Sequence, residues 1–253
     1  MEQKFFLKRV LSGIVGLVVE VLAPQPCPGC GVFGHGRGGW CESCFENLPW
    51  FAGSFCRRCG RPLGLSPGGL TPPLCGDCFN EPPFDNVRSA CFYEGVVAEL
   101  IVRFKYSRAL YLLNPLGEIL LEGFRRHFGN EAFHFITPVP LHRERLKERG
   151  YNQSALLAGF LAKRTGIPVN PKAVIRRRNT IPQVKLSGRE RRNNLIGAFA
   201  VSERALEQIR GRSILLIDDV VTTGTTLVET AKVLKRAGAA RVCGLTVARS
   251  GHS

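Results

Sequence analysis

The apolar positions after residue 84 form an alternating series of short and long segments. Continuous apolar stretches predict strands, and stretches with apolar residues at helical spacing predict helices. The predicted strands lie at 87–93, 133–139, 174–176, 213–218 and 242–248, and the predicted helices at 96–106, 111–127, 152–165 and 225–237. Strands that alternate with helices are typical of a parallel sheet covered by helices. The pattern therefore predicts a Rossmann-like α/β domain over residues 81–253.

A different pattern covers residues 26–80, which are rich in glycine, proline and cysteine and show little periodicity. Eight cysteines form four CxxC pairs there, namely Cys27/Cys30, Cys41/Cys44, Cys56/Cys59 and Cys75/Cys78. Repeated two-residue gaps are typical of four-cysteine zinc sites and rare in disulfide frameworks. We therefore predict a double zinc-ribbon module with two structural zinc ions, whose ligands come from consecutive or from interleaved pairs. Zinc thiolates need reduced cysteines, which favours a cytoplasmic protein.

Residues 1–25 contain an apolar run whose length indicates whether the segment could cross a membrane. The run from Val10 to Ala23 is 14 residues long, follows three basic residues and is interrupted by Glu20. A membrane-spanning helix needs about 20 apolar residues, so we predict no transmembrane segment. No small-residue cleavage site follows, as it would in a signal peptide. We expect an amphipathic helix that packs on its own protein, with peripheral contact with the inner membrane as the alternative.

The chain is strongly basic, and its positive charge is concentrated in one stretch. The formal net charge is +15, and residues 143–192 contain 14 basic and 3 acidic side chains. Such a concentration favours an anionic partner, either phosphate or nucleic acid, and an arginine-rich solvated surface is the alternative. The candidate nucleic-acid-binding residues are Arg176, Arg177, Arg178, Arg191 and Arg192.

The segment ILLIDDVVTTGTT at residues 214–226 combines a strand, two acids and a turn that opens a helix. Ligands of an open α/β sheet bind at the carboxyl ends of the strands, where Asp218 and Asp219 follow the apolar run. The turn can hold a phosphate with its N–H groups and hydroxyls, and Gly224 allows close approach. A sugar would reconcile the acids with the phosphate, because carboxylates accept hydrogen bonds from vicinal hydroxyls. The segment predicts a ribose-5-phosphate site, in which Val221, Thr222, Thr223, Thr225 and Thr226 complete the loop.

This segment resembles the phosphoribosyl pyrophosphate (PRPP) fingerprint of type I phosphoribosyltransferases at all 13 positions. The resemblance implies the fold of that family, with the ribose hydroxyls of PRPP bound by Asp218 and Asp219 and the 5-phosphate bound by residues 222–226. It also implies magnesium on the pyrophosphate side. Both aspartates are thereby candidate catalytic residues.

A transfer reaction on PRPP needs a second anion site for the departing pyrophosphate. Residues 137–153 follow a predicted strand and are rich in charge. We expect this segment to supply that site through His142, Arg143, Arg145 and Arg149. The alternative is a solvated charged turn, because its glutamates lie at helical spacing from arginines.

Residues 177–197 lack a buried period, although they lie inside the predicted domain. Such stretches are usually lids or disordered segments. A lid suits chemistry through an oxocarbenium-like centre, which must be shielded from water. The candidates to neutralise pyrophosphate are Arg177, Lys185, Arg189, Arg191 and Arg192, of which Lys185 and Arg189 are the candidate catalytic residues.

The order of the motifs resembles the ComF family, including the ComFC and GntX-like proteins, over nearly the whole chain. The four CxxC pairs are followed by FKYS at 104–107, VPLHRERLKERGYNQS at 139–154, RNTIPQVKLSGRERRNNLIGAF at 178–199 and the PRPP loop. The resemblance implies a role in natural competence, with binding of PRPP and single-stranded DNA and contact with a competence helicase or the uptake machinery. It does not establish catalysis. The alternative is therefore an active phosphoribosyltransferase of nucleobase salvage that releases pyrophosphate from PRPP.

Type I transferases usually select their acceptor base with a hood, an element outside the PRPP loop. The last predicted strand ends close to Ser253, so we expect any base-recognising surface to come from the N-terminal half. The candidate aromatic residues there are Trp40, Trp50 and Phe51. The identity of the base does not follow from these residues.

Overall fold

The computed structural model describes residues 25–33, 36–63, 74–79, 82–178 and 195–251. The predicted N-terminal helix and the predicted lid residues Lys185, Arg189, Arg191 and Arg192 fall outside these ranges. Contacts divide the chain into two compact units, Met1–Leu48 and Pro49–Ser253. The second group of four cysteines therefore belongs to the same compact unit as the α/β domain. The domain boundary at residues 80–81 stays a prediction.

The elements of the described residues are numbered in chain order. The α-helices are α1 (Glu42–Glu46), α2 (Gly95–Tyr106), α3 (Leu113–Phe128), α4 (Arg143–Arg149), α5 (Gln153–Thr165), α6 (Leu206–Ile209) and α7 (Thr225–Arg236). The strands are β1 (Asn86–Phe92), β2 (Phe135–Pro138), β3 (Val174–Arg176), β4 (Phe199–Val201), β5 (Ser213–Val221) and β6 (Arg241–Arg249). Short 3-10 helices lie at Arg37–Gly39, Gly76–Cys78, Leu110–Leu112 and Glu203–Ala205. Among the described helices, none has the length and apolar composition that crossing a bilayer would require.

The smaller unit is organised around cysteine turns and one short helix. The Cys41 sulfur caps α1 by accepting a hydrogen bond from the backbone N–H of Cys44 at 3.4 Å. Trp40 is fully buried and packs edge-on against the Phe45 ring, with 6.5 Å between the ring centres. The described part of this unit has few buried apolar residues, and a metal ion would add stabilisation there.

A four-stranded parallel sheet forms the centre of the larger unit, with strand order β1-β6-β5-β2. Ile214 and Leu216 of β5 face a core that they share with Leu227 of α7. The residues between them face the opposite side, because side chains alternate along a strand. Helices α3 and α5 also pack against the sheet. The predicted parallel α/β fold is confirmed, and it places the carboxyl ends of β5 and β6 side by side.

Two segments differ from the predicted pattern. β3 does not join the parallel sheet; it forms an antiparallel pair with β4, which the apolar pattern did not predict. The charged segment after β2 contains helix α4, which begins after His142 and ends at Gly150. Gly150 has a positive φ of 83°, which is favourable for glycine at a helix end. Both differences bring additional charged residues to the edge of the sheet.

The second group of cysteines is joined to the sheet by hydrogen bonds that its backbone carbonyls accept. The N–H of Val87 in β1 donates to the carbonyl of Arg58 at 2.7 Å. The Arg249 guanidinium, at the end of β6, donates to the carbonyl of Cys59. Gly60 has a φ of 70°, and a Cβ there would lie 2.6 Å from the carbonyl oxygen of Val87. This close approach fixes the second cysteine group against β1 and requires glycine at residue 60.

Candidate functional site

Each group of four cysteines brings its sulfur atoms together in chain order. The Sγ atoms of Cys27, Cys30, Cys41 and Cys44 lie within 4.8 Å of one another, and so do those of Cys56, Cys59, Cys75 and Cys78. The separation is 3.7 Å between Cys27 and Cys41 and 3.6 Å between Cys59 and Cys75. Four sulfurs about 2.3 Å from a tetrahedral zinc ion lie about 3.8 Å apart, so both groups fit structural zinc. The ligands come from consecutive pairs and not from interleaved ones.

The two predicted acids lie at the carboxyl end of β5, where the sheet presents them to the neighbouring helices. The Ser154 hydroxyl at the start of α5 donates to Asp218 Oδ1 at 2.8 Å. The backbone N–H of Asp219 donates to the same oxygen at 3.0 Å. Ser154 is held in place because Asn152 caps α5, with its Oδ1 accepting from the N–H of Ser154 at 3.0 Å. These contacts hold one oxygen of the Asp218 carboxylate and thereby fix its orientation.

A lysine from α2 neutralises the other acid. Lys105 Nζ lies 2.8 Å from Asp219 Oδ1, and the two side chains are only 20% and 11% exposed. Burial opposes the charge of Lys105, but the attraction of Asp219 and Asp218 outweighs it and raises the pKa of the lysine. The pair offsets the charge of the second acid and holds its carboxylate beside the first.

The environment of Asp218 raises the pKa of its carboxyl group. Burial, followed by the neighbouring charge of Asp219, raises the pKa of Asp218 to about 7, while Lys105 and the Ser154 hydroxyl act in the opposite direction. The first aspartate therefore changes charge near neutral pH. Strongly perturbed acids are concentrated at functional sites because the chemistry there uses them.

The loop after β5 has the backbone geometry expected of a phosphate site. Gly224 precedes α7 and adopts a φ of 76°, which glycine tolerates without strain. The first N–H groups of an α-helix have no acceptor within the helix, and Gly224 has no side chain to cap them. The hydroxyls of Thr223 and Thr225 lie 2.9 Å apart at the same end. Together with the helix dipole, these donors favour an anion.

Helix α4 places two of the four predicted pyrophosphate-binding residues on one face. Arg145 and Arg149 lie one turn apart and are both half-buried. The Arg149 guanidinium lies 5.0 Å from the centre of the Tyr106 ring. Burial, followed by the positive charge of Arg149, lowers the pKa of Arg145. Two arginines on one face of a helix form a local positive surface, which would complement an anion such as a second phosphate.

The other two residues of that predicted group have different positions. His142 caps α4, with Nδ1 accepting from the N–H of Glu144 at 3.4 Å. Arg143 is exposed in the first turn of the helix. The structure therefore brings Arg145 and Arg149 together and gives His142 a local structural contact.

The three predicted nucleic-acid-binding arginines of β3 and the following turn do not share one surface. Burial, followed by the charge of Arg145, lowers the pKa of Arg176 to about 10, while Asp218 acts in the opposite direction. Arg176 thus lies with the acids and the arginines of α4. Arg177 is exposed, and the Arg178 guanidinium donates to the carbonyl of Ile196 at 3.0 Å.

Lys105 and Ser154 are site residues that the motif analysis did not assign. Lys105 lies in FKYS, a motif that was used only for the resemblance, and Ser154 lies one position after the segment 137–153 that was assigned to the second anion site. Helical spacing gives no reason for a lysine on α2 to turn toward β5. The signal that could have found Ser154 is the Asn152 cap, which predicts the helix start and hence the position of the next hydroxyl.

Two of the three aromatic residues proposed for base recognition are buried. Trp40 is 0% exposed in the smaller unit and Phe51 is 6% exposed in the larger one. Phe51 packs on Phe92 with 4.7 Å between the ring centres. Trp50 lies under the Arg126 guanidinium at 4.2 Å. Trp40 and Phe51 are therefore core residues and cannot form a base-binding surface.

Models of two protein families match the chain. The double zinc ribbon domain matches residues 18–79, and the phosphoribosyl transferase domain matches residues 152–253. The second match contains the acids, the loop and α7. The two groups of four sulfurs lie in the first match.

Relatives with assigned names cover most of the chain. Competence protein F of Haemophilus influenzae is 32% identical over 80% of this chain and 86% of its own length. DNA utilization protein YhgH of Escherichia coli K12 is 36% identical over 75% of this chain and 81% of its own length. Competence protein ComFC of Bacillus subtilis is 30% identical over 83% of this chain and 84% of its own length. Among solved structures, a phosphoribosyltransferase from Corynebacterium diphtheriae is 15% identical over 59% of this chain and 80% of its own, with a TM-score of 0.32.

Proposed function

Because the chain belongs to the ComF family of phosphoribosyltransferase-domain proteins, we propose that it binds PRPP and handles single-stranded DNA in natural competence or DNA utilisation. The printed names of its relatives, competence protein and DNA utilization protein, support the biological role. The geometry of the site supports the ligand.

The observation that carries the proposal is the juxtaposition of Asp218 and Asp219 with the loop at Gly224. One acid is oriented by Ser154 and the other is neutralised by Lys105. A ribose 5-phosphate would place its vicinal hydroxyls on the acids and its phosphate on the first turn of α7. We propose that magnesium joins the pyrophosphate of PRPP at the acids, since hard cations prefer carboxylate and phosphate oxygens.

The arginines around the acids extend this site toward a longer anion. Arg145, Arg149 and Arg176 lie within electrostatic reach of one another or of Asp218. Pyrophosphate would occupy this position in PRPP, and the next phosphate would occupy it in a DNA strand. The same cations therefore serve both ligands in the proposal.

DNA binding is tested by fluorescence anisotropy with a labelled single-stranded oligonucleotide, titrated at several salt concentrations. On a single strand, a protein that contacts about six phosphates loses roughly 300-fold in affinity between about 50 and 200 mM salt. We expect a steep dependence, and a shallower one for the variant carrying both Arg145→Gln and Arg149→Gln. The matched control is Arg125→Gln, which removes an arginine that is 57% exposed on α3.

Two results would contradict the proposal. One is wild-type protein that shows no affinity for single-stranded DNA at low salt. The other is an affinity that neither PRPP nor the double variant of α4 reduces, because the DNA would then be bound elsewhere. Release of pyrophosphate from PRPP when a nucleobase is supplied would instead favour the salvage enzyme.

A further inference from the structure

A cavity of about 510 Å³ lies between the second cysteine group and helix α7, inside the larger unit. One end of its wall is the phosphate loop itself, through Thr223, Gly224 and Thr225. Neither Asp218 nor Asp219 contributes to the wall. The loop therefore has the acids on one side and this cavity on the other, which the binding of PRPP alone does not explain.

The rest of the wall combines apolar surface with charged residues of both signs, three cations against two carboxylates. Phe84, Val87, Leu227 and Val228 line it, with Val228 one turn into α7. A volume in the range of about 300 to 1,000 Å³ is typical of small-molecule sites. An apolar wall of this kind suits a flat nucleobase and its sugar.

The charged residues of the wall differ in whether they are paired. Arg61 contacts Asp77 at 2.6 Å, and Lys232 contacts Glu229 at 2.5 Å. Arg249 is only 5% exposed and donates to the carbonyl of Cys59, but within the described ranges no carboxylate lies at ion-pair distance from it. Its position opposite Val221 in the sheet register puts this charge at the level of the phosphate loop. The thiolates of the second cysteine group attract this charge from one side, and a phosphate at the loop would attract it from the other.

We propose that this cavity binds a nucleoside that is esterified to the phosphate held by the loop. The inference rests on the proposed phosphate site and adds a nucleoside-binding site on the other side of the phosphate. A phosphodiester carries two substituents, so one nucleoside would lie toward the acids and the other in the cavity. The phosphate loop would then accept an internal phosphate of a DNA strand as well as the terminal phosphate of PRPP.

The test compares ligands that do or do not need the cavity, by calorimetric titration of the zinc-loaded protein. Ribose 5-phosphate needs only the loop and the acids. The dinucleoside monophosphate d(TpT) has a single phosphate with a nucleoside on each side, and thymidine 5′-monophosphate has one nucleoside. Substitution of Val228 by Trp fills the cavity from α7. Val102→Trp, at a position that is 44% exposed on α2, is the matched control.

We expect Val228→Trp to weaken d(TpT) binding by about tenfold or more and ribose 5-phosphate binding by less than about twofold, a difference that exceeds about 1 kcal/mol. Val102→Trp is expected to bind both like the wild type. A parallel loss for thymidine monophosphate would identify free mononucleotides as one source of the nucleoside, and a loss for d(TpT) alone would identify a strand. Either result supports a nucleoside site in the cavity.

The inference is overturned if Val228→Trp and the wild type bind d(TpT) equally, or if a wild type that binds ribose 5-phosphate does not bind d(TpT). Wild-type protein that does not bind ribose 5-phosphate would refute the phosphate site instead, so the two failures are distinguishable. Circular dichroism and zinc content establish that each variant is folded. If Val228→Trp does not fold, Val228→Phe provides a smaller obstruction at the same position.

Discussion

Replacing Asp218 by Asn is expected to make the protein more stable at pH 8 and to weaken its ligand binding. The carboxylate lies at the end of a buried strand next to a second acid, and its pKa is about 7 in place of the ordinary 3.8. Asparagine keeps the acceptor for the Ser154 hydroxyl but carries no charge. The substitution therefore removes the cost of an ionised, buried acid while it conserves the hydrogen bond.

The size of the effect follows from the pKa. A change from 3.8 to about 7 corresponds to about 4 kcal/mol of preference for the protonated form. Relaxation and water penetration reduce such burial costs, so we expect the variant to gain about 2 kcal/mol at pH 8. The folded state holds this proton more tightly than the unfolded state, so the wild type loses stability as the pH rises from about 4 to about 7. Below about pH 4 the carboxyl is protonated in both states, and the two proteins should be equally stable there.

The assay is urea unfolding of the zinc-loaded wild type and variant at several pH values between 4 and 8. The difference between the two proteins reports residue 218 together with its interaction with Asp219 and Lys105, because the remaining titrating groups are shared. A difference that grows from near zero to about 2 kcal/mol over this range is expected. A variant that is no more stable than the wild type at pH 8, or a difference that does not depend on pH, would refute the reasoning.

Three further substitutions test other parts of the site. Lys105→Met leaves the carboxylate of Asp219 without this partner at low exposure and should lower the free energy of unfolding by about 3 kcal/mol in the same urea titration. The control Arg103→Met breaks an exposed ion pair and should lower the free energy of unfolding by less than about 1 kcal/mol. Gly224→Ala should weaken ribose 5-phosphate binding about fivefold or more in calorimetry, because a φ of 76° costs alanine about 1 kcal/mol. The control Gly159→Ala, which lies in open space on α5, should bind ribose 5-phosphate like the wild type. Equal binding by the two variants would contradict the loop geometry. Cys78→Ser should lower the zinc content from two ions per chain to one by atomic emission, and retention of two would exclude Cys78 as a ligand.

The parts of the molecule that follow local rules could be predicted from the sequence. The apolar run of β5 and the helical period of α7 determine those elements, and the intervening turn predicts where a phosphate binds. The CxxC spacing likewise predicts each metal site, since the two cysteines of a pair are close in any conformation. Ligand pairing over longer distances stayed open until the structure grouped the sulfurs in chain order.

Contacts between distant segments could not be predicted in the same way. Lys105 and Asp219 are 114 positions apart, and only the packing of α2 near the end of β5 brings them together. β4 is three residues long, too short to show a period of two, and its pairing with β3 redirects Arg176 toward the acids. The short helix α4 has no buried residue, so the apolar pattern could not predict it, and one face of this helix selects Arg145 and Arg149 from the basic residues around them.

The central claim is that the acids and the loop after β5 bind a ribose phosphate. Calorimetric titration of the zinc-loaded protein with PRPP in the presence of magnesium tests it most directly, with Asp218→Asn as the comparison. We predict one saturable site in the wild type and a strong loss of affinity in the variant, at a pH where the variant is the more stable protein. No heat of binding in the wild type, or unchanged affinity in the folded variant, would contradict the claim.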